Sequence, residues 1–546
     1  MGLPLSGMTF LAAPTDLQQE TQGGCGMWSA ARELLHGLGG RVVHRQAAED
    51  PAAGVIDPTL TVDPPSALAW ARSGAMALTG PTDGAPLAPD VAIMARLDGA
   101  MAVFRLLAAT RGQRVDVDAG ALLGERAAIS GLTRGGRRSA GGAARLLPTR
   151  NGWVAVNLAR PSDLDLLPAW LSIAGDDHDQ DHPVGPWDAV TTAFARLSAR
   201  CVVEQGQLLG LPVAEVAQPE SAAHDEQAHA RGQRFPFAPF LLDGAPINCT
   251  PIDNAPNHNT AISGTAIDDG PPGEQHRPVP STKPILVVDL SSLWAGPLCA
   301  HLLGLAGARV VKVESARRPD GARSGPTVFF DLLHAGHDSV ALDLHTPDGR
   351  SALIGLIGRA DVVIEASRPR ALTQLGIDPA ELLARNPTLT WVSITGYGRT
   401  GPWCQRVAFG DDAAAAAGLV AVGPDGTPMF LADAIADPVT GLYAAVAALA
   451  CVVGGGGGGH HVDIALREAA GSLLGTRPRL PRRDPAARWS PDSGEGAGKP
   501  GGWFVDAAGA RAPVLPPRHR TPPGTAPALG ADTARVLAEL AGSRPR

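Results

Sequence analysis

Apolar and polar positions follow two alternating patterns along the second half of the chain. Short apolar runs read ILVVDL, ARVVKVE, ADVVIEA and LTWVSITGYG. Between them lie longer segments with the length and composition of helices, namely LCAHLLGLAG, GRSALIGLIGR and DPAELLARN. Buried strands that alternate with helices of this length are typical of a parallel sheet with helices on both faces. The pattern therefore predicts an α/β fold with a doubly wound parallel sheet.

Two stretches rich in Pro, Gly and polar residues lack this periodicity and divide the chain. Residues 241–284 and 476–500 have the composition of linkers. The predicted units are therefore a first half at 1–240, a large domain at 285–475 and a C-terminal return segment at 501–546.

The first half repeats parts of the second. ARELLHGLGGRVVHR at 31–45 resembles LCAHLLGLAGARVVKVE at 298–314, and GQRVDVDAGALL resembles GHHVDIALREAAGSLL. Several strands of the second copy are missing from the first, which carries instead the stretch LLPTRNGWVAVNLARPSDLDLLPAWL. Because neither copy is complete alone, the sequence predicts a fused partial tandem repeat, folded as a pseudo-dimer with one site built from both halves.

Composition limits the class of function. The net charge of -8 gives no electrostatic reason to expect a nucleic-acid partner. The six cysteines lack CxxC spacing, which favours a reducing compartment and argues against a cysteine zinc site. No secretory signal is visible, and the apolar run Leu442–Val453 is shorter than the roughly 20 residues that span a bilayer. We therefore expect a cytoplasmic protein without a metal or a membrane partner.

The stretch IADPVTGLYAAVAALACVV places an acid at the head of an apolar helix. Asp437 directly precedes Pro438, as an N-cap residue precedes a proline at the first helical position. A helix N-terminus also stabilises an anion, so we expect this carboxylate to stay ionised and able to act as a nucleophile. The matching stretch of the first half has Ala95 at this place, four residues before Gly99, and cannot do this chemistry.

Two glycine patterns bear on cofactors. The stretch GGGGGGHHVD, Gly454–Asp463, lacks the Lys-Ser/Thr of a phosphate-binding loop, and adjacent histidines on a strand point in opposite directions. We interpret these glycines as a flexible turn. The sequence G-x-G-x-x-G does not follow the first strand, so a nicotinamide or flavin dinucleotide site is not supported.

Several stretches, in order, resemble the class III CoA-transferases, the family of formyl-CoA transferase, carnitine CoA-transferase and alpha-methylacyl-CoA racemase. The matching pieces are VVDLSSLWAGPLCAHLLGLAGARVVKVE, SVALDLHTPDGRSAL, ADVVIEASRP, LTQLGIDPAELLARNPTLTWVSITGYGRTGP and IADPVTGLYAA. In the first half, TRNGWVAV and GLPVAEVAQ resemble the family's small domain, and APALGADTARVLAEL resembles its C-terminal return. The resemblance implies a Rossmann-like large domain with a smaller α+β domain, in a homodimer or, here, an intramolecular pseudo-dimer.

The resemblance also implies a set of site residues. The family's nucleophilic aspartate falls on Asp437, in the D-x-x-x-G pattern that ends at Gly441. Coenzyme A enters as a substrate, with no metal or redox cofactor. The implied CoA contacts are Leu293, Trp294, Ala295, Arg317, Leu342, Ala366 and Ser367. Packing alone would also explain Trp294, and Arg317 and Arg318 would pair with CoA phosphates or remain solvated.

The segment QRVAFGDD helps to choose the reaction. Racemases of the family have a His–Asp pair here, whereas this chain has Phe409 and Gly410, followed by Asp411 and Asp412. Without a base of that type, proton abstraction next to a carbonyl is poorly supported. The sequence therefore favours transfer of CoA from an acyl-CoA donor to a small carboxylic acid through an aspartyl anhydride and an aspartyl-CoA thioester. The alternatives are an acyl-CoA racemase or isomerase and a non-catalytic acyl-CoA-binding protein.

A second glycine-rich stretch lies in the first half. SAGGAAR, Ser139–Arg145, resembles the loop that covers the active site in the transferases. A flexible hairpin connection would have the same composition. Because this loop lies in the first copy, its role depends on whether the predicted pseudo-dimer is real.

Overall fold

The structure is a computed structural model of the chain. It describes residues 3–6, 8–12, 27–44, 54–55, 66–172, 185–234, 237–246, 284–454, 459–475, 488–491, 502–507 and 509–542. Most of the two predicted linkers lies outside these described residues.

The described strands, β1 to β19 in chain order, are Thr9–Ala12, Arg41–His44, Gly54–Val55, Ala144–Thr149, Gly152–Asn157, Val213–Glu215, Leu241–Leu242, Ala245–Pro246, Leu286–Asp289, Arg309–Ser315, Asp338–Leu342, Val362–Glu365, Thr390–Thr395, Ala421–Val422, Pro428–Met429, His460–Ala465, Arg488–Pro491, Trp503–Ala507 and Ala510–Pro513.

The described α-helices, α1 to α20, are Met27–Gly37, Ser66–Ser73, Ile93–Ala109, Ala119–Leu122, Glu125–Ser130, Pro161–Asp165, Leu167–Leu171, Pro186–Phe194, Ala199–Leu208, Pro219–Ala222, Glu226–Ala230, Ala295–Leu305, Thr327–His334, Pro347–Ile357, Pro369–Gln374, Pro379–Arg385, Gly410–Ala416, Ala436–Gly454, Leu466–Ser472 and Thr533–Gly542. Short 3-10 turns lie at Ala75–Leu78 and Gly321–Ser324.

The central sheet has the strand order β11-β10-β9-β12-β13-β16-β7-β8. The first six of these strands are parallel, and the strand order reverses between β9 and β12. In open α/β sheets, ligands bind at the carboxyl ends of the strands near such a reversal. The parallel sheet confirms the predicted α/β class.

The edge of the central sheet differs from the sequence prediction. Strands β7 and β8 pair antiparallel with β16 and with each other. They come from residues 241–246, which the composition places in a linker. Leu241 and Leu242 are buried, and burying two leucines on a sheet edge favours pairing over an exposed connection. The described part of the first half therefore extends to Pro246.

The first half also has sheets of its own. Strands β1, β2 and β3 form a small parallel sheet in the order β2-β1-β3. Strands β4, β5 and β6 form an antiparallel sheet, whose side chains pack with those of helices α7 to α9 in a separate hydrophobic cluster. This cluster corresponds in sequence to the predicted smaller α+β unit. The tandem repeat and the pseudo-dimer remain predictions.

Helix α18 is the centre of the core. It packs against α12 of the second half and α3 of the first. A Cβ at Gly441 would lie 2.7 Å from the carbonyl oxygen of Ala295, so only glycine permits this approach. Leu442 and Leu449 are fully buried, and each such side chain contributes about 1.5–3 kcal/mol. The helix is long and apolar enough to cross a membrane, but it is 83% buried in this fold, as expected of a core helix.

A buried arginine joins the halves at the edge of the sheet. Arg231, which follows α11, donates to Glu468 at 2.6 and 2.9 Å and to Asp463 at 2.6 Å. Its side chain is fully buried. Two carboxylates and one guanidinium removed from water are stable only while they pair, so this contact fixes the first half against β16 and α19.

We expect Arg231→Met to destabilise the fold strongly, because it leaves two carboxylates buried without a cation. The free energy of unfolding should fall by about 3–5 kcal/mol, measured as a shift of the urea denaturation midpoint. Arg200→Met is the control, because Arg200 forms an exposed pair with Glu204. Equal midpoints for the two variants would contradict the structural role of Arg231.

Candidate active site

Asp437 lies in the first turn of helix α18, which begins at Ala436. It is therefore not the N-cap residue that the sequence predicts. Its carboxylate instead accepts a hydrogen bond from the backbone N–H of Gly410, at the start of α17. Between Phe430 and Cys451, Asp437 alone keeps a partly exposed side chain, and all other residues in this range are buried. Asp437 is therefore the one residue of this segment that keeps partial contact with solvent.

The pKa of Asp437 is raised to about 7. Burial is the main cause, the charges of Asp411 and Asp433 add to it, and Arg126 opposes it. The expectation that the helix N-terminus keeps this carboxylate ionised was wrong. A helix terminus contributes roughly 0.3–1 kcal/mol, which is less than one pKa unit, and desolvation with two neighbouring acids outweighs it.

Gly410 lies directly against the carboxylate. A Cβ built on Gly410 would collide with Asp437 Oδ2 and with the carbonyl oxygen of Ala434. The backbone N–H of Gly410 therefore reaches Asp437 only because this position has no side chain. The family's acidic residue of the His–Asp pair could not occupy this position without moving Asp437.

Arg126 is the cation of the site and comes from α5 of the first half. Its Nε donates to Asp433 Oδ2 at 2.9 Å and its Nη2 to Asp433 Oδ1 at 2.5 Å. Its guanidinium lies 5.0 Å from the ring centre of Trp294. Asp411 and Asp437 are close enough to stabilise its charge further. One guanidinium therefore faces three carboxylates.

The turn that carries Asp433 is strained. Ala432 and Ala434 have φ angles of 53° and 44°, a region that residues with a side chain seldom adopt. Two hydrogen bonds hold this turn: the N–H of Ala432 donates to Thr79 Oγ1 at 3.1 Å, and the N–H of Ala434 donates to Asp411 Oδ1 at 3.1 Å. Such strain persists where the surroundings determine the conformation, as is common at functional sites.

Asp411 and Asp412 are buried and bind groups of the first half. The hydroxyl of Ser139 donates to Asp411, and burial raises the pKa of Asp411 to about 7. The amide of Asn157 donates to Asp412 at 3.3 Å, and burial raises the pKa of Asp412 to about 8. Both acids therefore hold the small antiparallel sheet against the start of α17.

The glycine-rich stretch Ser139–Arg145 lies over this cluster. Beyond the bond from Ser139 to Asp411, a Cβ at Gly141 would lie 3.3 Å from Arg126 Nη2. The structure thus brings the first-half loop next to the cation of the site. The pseudo-dimer, on which the predicted role of this loop depends, remains a prediction.

The residues predicted to bind CoA lie at the carboxyl edge of the central sheet and differ in accessibility. Leu293 is 45% exposed and has a φ of 71°, and its N–H donates to Asp320 at 3.0 Å. Trp294, Ala295 and Leu342 are buried. Trp294 packs edge-on against Phe329, with ring centres 5.4 Å apart.

The remaining predicted contacts are more open. Arg317 is exposed and donates to Asp343 at 2.8 Å. Ala366 is exposed and Ser367 is partly exposed, with its hydroxyl donating to Glu365 at 2.6 Å. Binding of CoA by these residues remains a prediction.

Sequence reasoning missed Arg126, Asp433 and Lys312. Arg126 and Asp433 are 307 positions apart and belong to no motif that we used, so only folding shows their contact. Lys312 lies inside the run VVKVE, where a buried ammonium is unexpected and could have served as a signal. It donates to the carbonyl oxygen of Ser291 and lies 3.0 Å from Asp320, and so holds the loop after β9.

Comparison with known proteins finds relatives among the CoA-transferases. The sequence profile described as CoA-transferase family III matches residues 283–486. The probable CoA-transferase Rv1866 of Mycobacterium tuberculosis is 27% identical over 74% of this chain and 59% of its own length. The succinate–glutarate CoA-transferase of Agrobacterium fabrum is 32% identical over 36% of this chain and 55% of its own length.

A solved structure is also similar in sequence. A CAIB/BAIF family protein from Brucella suis is 33% identical, covering 35% of this chain and 54% of that one, with a TM-score of 0.33. The chain spans between 54% and 59% of the length of these three proteins. Over residues 283–486, the chain is similar to CoA-transferase family III.

Proposed function

We propose that this protein transfers CoA from an acyl-CoA donor to a carboxylic acid acceptor, with Asp437 as the nucleophile. The observation that carries the proposal is the placement of Asp437. It is the one partly exposed residue of a buried segment, its carboxylate accepts an N–H from Gly410, and Arg126 faces it. The relatives named above, a probable CoA-transferase and a succinate–glutarate CoA-transferase, support the same reaction class.

The chemistry needs only a carboxylate and a thioester. An oxygen of Asp437 bonds to the donor carbonyl carbon, the C–S bond breaks, and CoA leaves as a thiolate from an acyl-aspartyl anhydride. The thiolate attacks Cγ of Asp437, which releases the donor acid and leaves an aspartyl-CoA thioester. The acceptor carboxylate then attacks Cγ of the aspartyl-CoA thioester and displaces CoA as a thiolate, which leaves an acceptor–aspartyl anhydride. The thiolate attacks the acceptor carbonyl carbon of this anhydride, which gives acceptor-CoA and frees the Asp437 carboxylate. One negative charge moves between groups, without net transfer of a proton or of redox electrons.

The residues around Asp437 suit a moving negative charge. The N–H of Gly410 could donate to the oxyanion that forms on the attacked carbonyl carbon, since such donors commonly stabilise tetrahedral intermediates. Arg126 is fixed by Asp433 and Trp294, so it offers a positive charge without needing to move. The partly exposed loop after β9 gives the donor a place at the sheet edge where ligands of such folds bind.

Two other functions are less well supported. A racemase needs a base beside the substrate carbon, but Gly410 occupies a family base position and has no room for a side chain. A non-catalytic acyl-CoA-binding protein would have no need for a reachable carboxylate in a segment that is otherwise buried. We therefore favour the transferase.

The first experiment traps the covalent intermediate. We expect the wild-type protein, mixed with a panel of acyl-CoAs and quenched with hydroxylamine, to carry a hydroxamate at Asp437 detectable by peptide mass spectrometry. Asp437→Asn should abolish it, whereas Asp425→Asn, which changes an exposed turn, should retain it. CoA binding without any adduct would contradict the transferase and favour the binding protein.

We also expect the reaction to depend on pH with a midpoint near 7. The nucleophile must be ionised, and the pKa of Asp437 is raised to about 7, so the ionised fraction falls as the pH falls below this value. The kcat/KM at pH 6 should be about tenfold below its plateau at high pH. A rate that stays constant between pH 5.5 and pH 8.5 would be inconsistent with a raised pKa at the nucleophile.

Gly410→Ala should inactivate the enzyme without unfolding it. The added Cβ would push the Asp437 carboxylate away, and a displacement of about 1 Å can cost 100-fold in rate. Gly355→Ala is the matched control, because a Cβ at the exposed Gly355 meets no atom within 4 Å. Thermal melting should show both variants folded. Full activity of a folded Gly410→Ala variant would mean that this contact does not position the nucleophile.

A further inference from the structure

Asp433 is a second buried acid in the segment that carries the nucleophile. It precedes Asp437 by four residues, and its side chain is fully buried. The proposed mechanism gives it no chemical step, although a carboxylate is costly to bury. The backbone on both sides of it is also strained, with left-handed φ angles at Ala432 and Ala434. A buried charge on a strained turn indicates a specific task at this position.

The turn directs both oxygens of Asp433 to one guanidinium. Oδ2 accepts from Arg126 Nε at 2.9 Å, and Oδ1 accepts from Arg126 Nη2 at 2.5 Å. In this two-pronged geometry an arginine and a carboxylate pair most strongly. The side chains of Thr79 and Asp411 accept the N–H groups of the two residues that flank Asp433. The fold therefore fixes the direction of the Asp433 carboxylate.

Asp437 does not share this pairing. Among the described residues, Arg126 comes within ion-pair distance of Asp433 only, and Asp437 accepts its hydrogen bond from the backbone N–H of Gly410. Arg126 nevertheless acts on the nucleophile through its charge. Burial raises the pKa of Asp437, and the guanidinium opposes this effect. The nucleophile is therefore near a cation without being bound to it.

A carboxylate that is not bound to a cation is the better nucleophile. Asp437 attacks a thioester with a lone pair of a carboxylate oxygen, and a guanidinium that donates to this oxygen occupies lone pairs and withdraws charge. Without Asp433, the carboxylates that face Arg126 are Asp411 and Asp437. Asp411 already accepts two hydrogen bonds of its own. The guanidinium would then pair with Asp437.

We infer that Asp433 is a positioning residue, which holds the Arg126 guanidinium away from Asp437 and so keeps the attacking carboxylate free. The inference rests on the proposed function and concerns the same site. Asp433 acts through Arg126 and through its own charge, without a contact to the reacting atoms.

The charges around Asp437 act in opposite directions, which makes the inference testable. Burial raises the pKa of Asp437 most, Asp411 of α17 and Asp433 raise it further, and Arg126 of α5 lowers it. The next acid of α17, Asp412, is directed to the small antiparallel sheet instead. Removing the charge of Asp433 ends a repulsion and releases Arg126 toward the nucleophile, so both effects favour its ionised form. Removing Arg126 has the opposite effect.

The experiment follows the ionisation of Asp437 in variants of the pair. An isoxazolium reagent, which esterifies ionised carboxylates, is applied across a pH series, and its adduct on the Asp437 peptide is measured by mass spectrometry. The midpoint should lie near 7 in the wild type. It should shift down by about one pH unit or more in Asp433→Asn and up by about as much in Arg126→Gln.

A second readout is the rate at which acyl-CoA forms the hydroxamate at Asp437. At a pH where Asp437 is ionised, this rate should fall about tenfold in Asp433→Asn, the equivalent of one pKa unit of new pairing with Arg126. A variant that gains ionised nucleophile yet reacts more slowly is the expected signature of a guanidinium that has moved onto Asp437.

Asp163→Asn is the matched control. Asp163 is a buried carboxylate that pairs with a partly exposed arginine, Arg160, as Asp433 pairs with Arg126. It lies in α6, outside the group of charges that act on Asp437. The midpoint of Asp163→Asn should equal that of the wild type.

A double variant covers the case in which Asp433→Asn fails to fold, as judged by thermal melting. Asp433→Asn combined with Arg126→Gln leaves neither charge of the pair unpartnered. Its midpoint should lie below that of Arg126→Gln alone, because the repulsion between Asp433 and Asp437 is gone. Equal midpoints for these two proteins would contradict the role of Asp433.

The outcomes separate this assignment from the proposed function. Wild-type protein that forms no hydroxamate with any acyl-CoA contradicts the proposed function, whereas the isoxazolium titration still measures the effect of Asp433. An unchanged midpoint in Asp433→Asn overturns the assignment. A midpoint that rises in both Asp433→Asn and Arg126→Gln also overturns it, because Asp433 would then only keep Arg126 close to the nucleophile.

Discussion

The ion pair between Arg126 and Asp433 organises the charges around Asp437. Asp411, Asp433 and Asp437 converge in a buried volume, and Arg126 is the cation that faces all three. Because Asp433 binds Arg126 through both carboxylate oxygens, the guanidinium is held in place. Its positive charge also attracts the carboxylates of Asp411 and Asp437. A buried carboxylate cluster without a cation would hold protons at neutral pH. With Arg126 present, Asp437 has a pKa of about 7 and can be ionised when a substrate arrives.

This arrangement depends on contacts between distant parts of the chain. The residue before Arg126 is Glu125, and both of its carboxylate oxygens accept hydrogen bonds from Arg520, at 2.6 and 2.8 Å. Arg520 also contacts His301 of α12, so the C-terminal segment ties α5 to the large domain. Arg231 and β7 fix the other end of the first half. The first half thereby contributes Arg126 and the stretch Ser139–Arg145 to the surroundings of Asp437, which belongs to the second half.

Sequence reasoning succeeded where a local pattern had a single physical interpretation. Strand and helix periods along 285–475 predicted the parallel sheet that the structure shows, whereas Asp437 became the candidate nucleophile through the family resemblance. It failed where the outcome depended on neighbours. The helix-terminus argument gave the wrong direction for the pKa of Asp437, because desolvation and two further acids enter only after folding. Leu241 and Leu242 resembled a linker because the strand that they join, β16, is more than 200 residues away.

The sequence by itself determined the fold class, the order of the elements and the candidate nucleophile, because periodicity and short motifs act over a few residues. Only the tertiary structure decided the charge and the surroundings of that nucleophile. Arg126 comes from a segment without a motif, and Gly410 matters because a Cβ there would collide with Asp437. Electrostatic and steric effects fall off over a few ångströms in space, and residues about 300 positions apart in the chain reach that distance only in the folded protein.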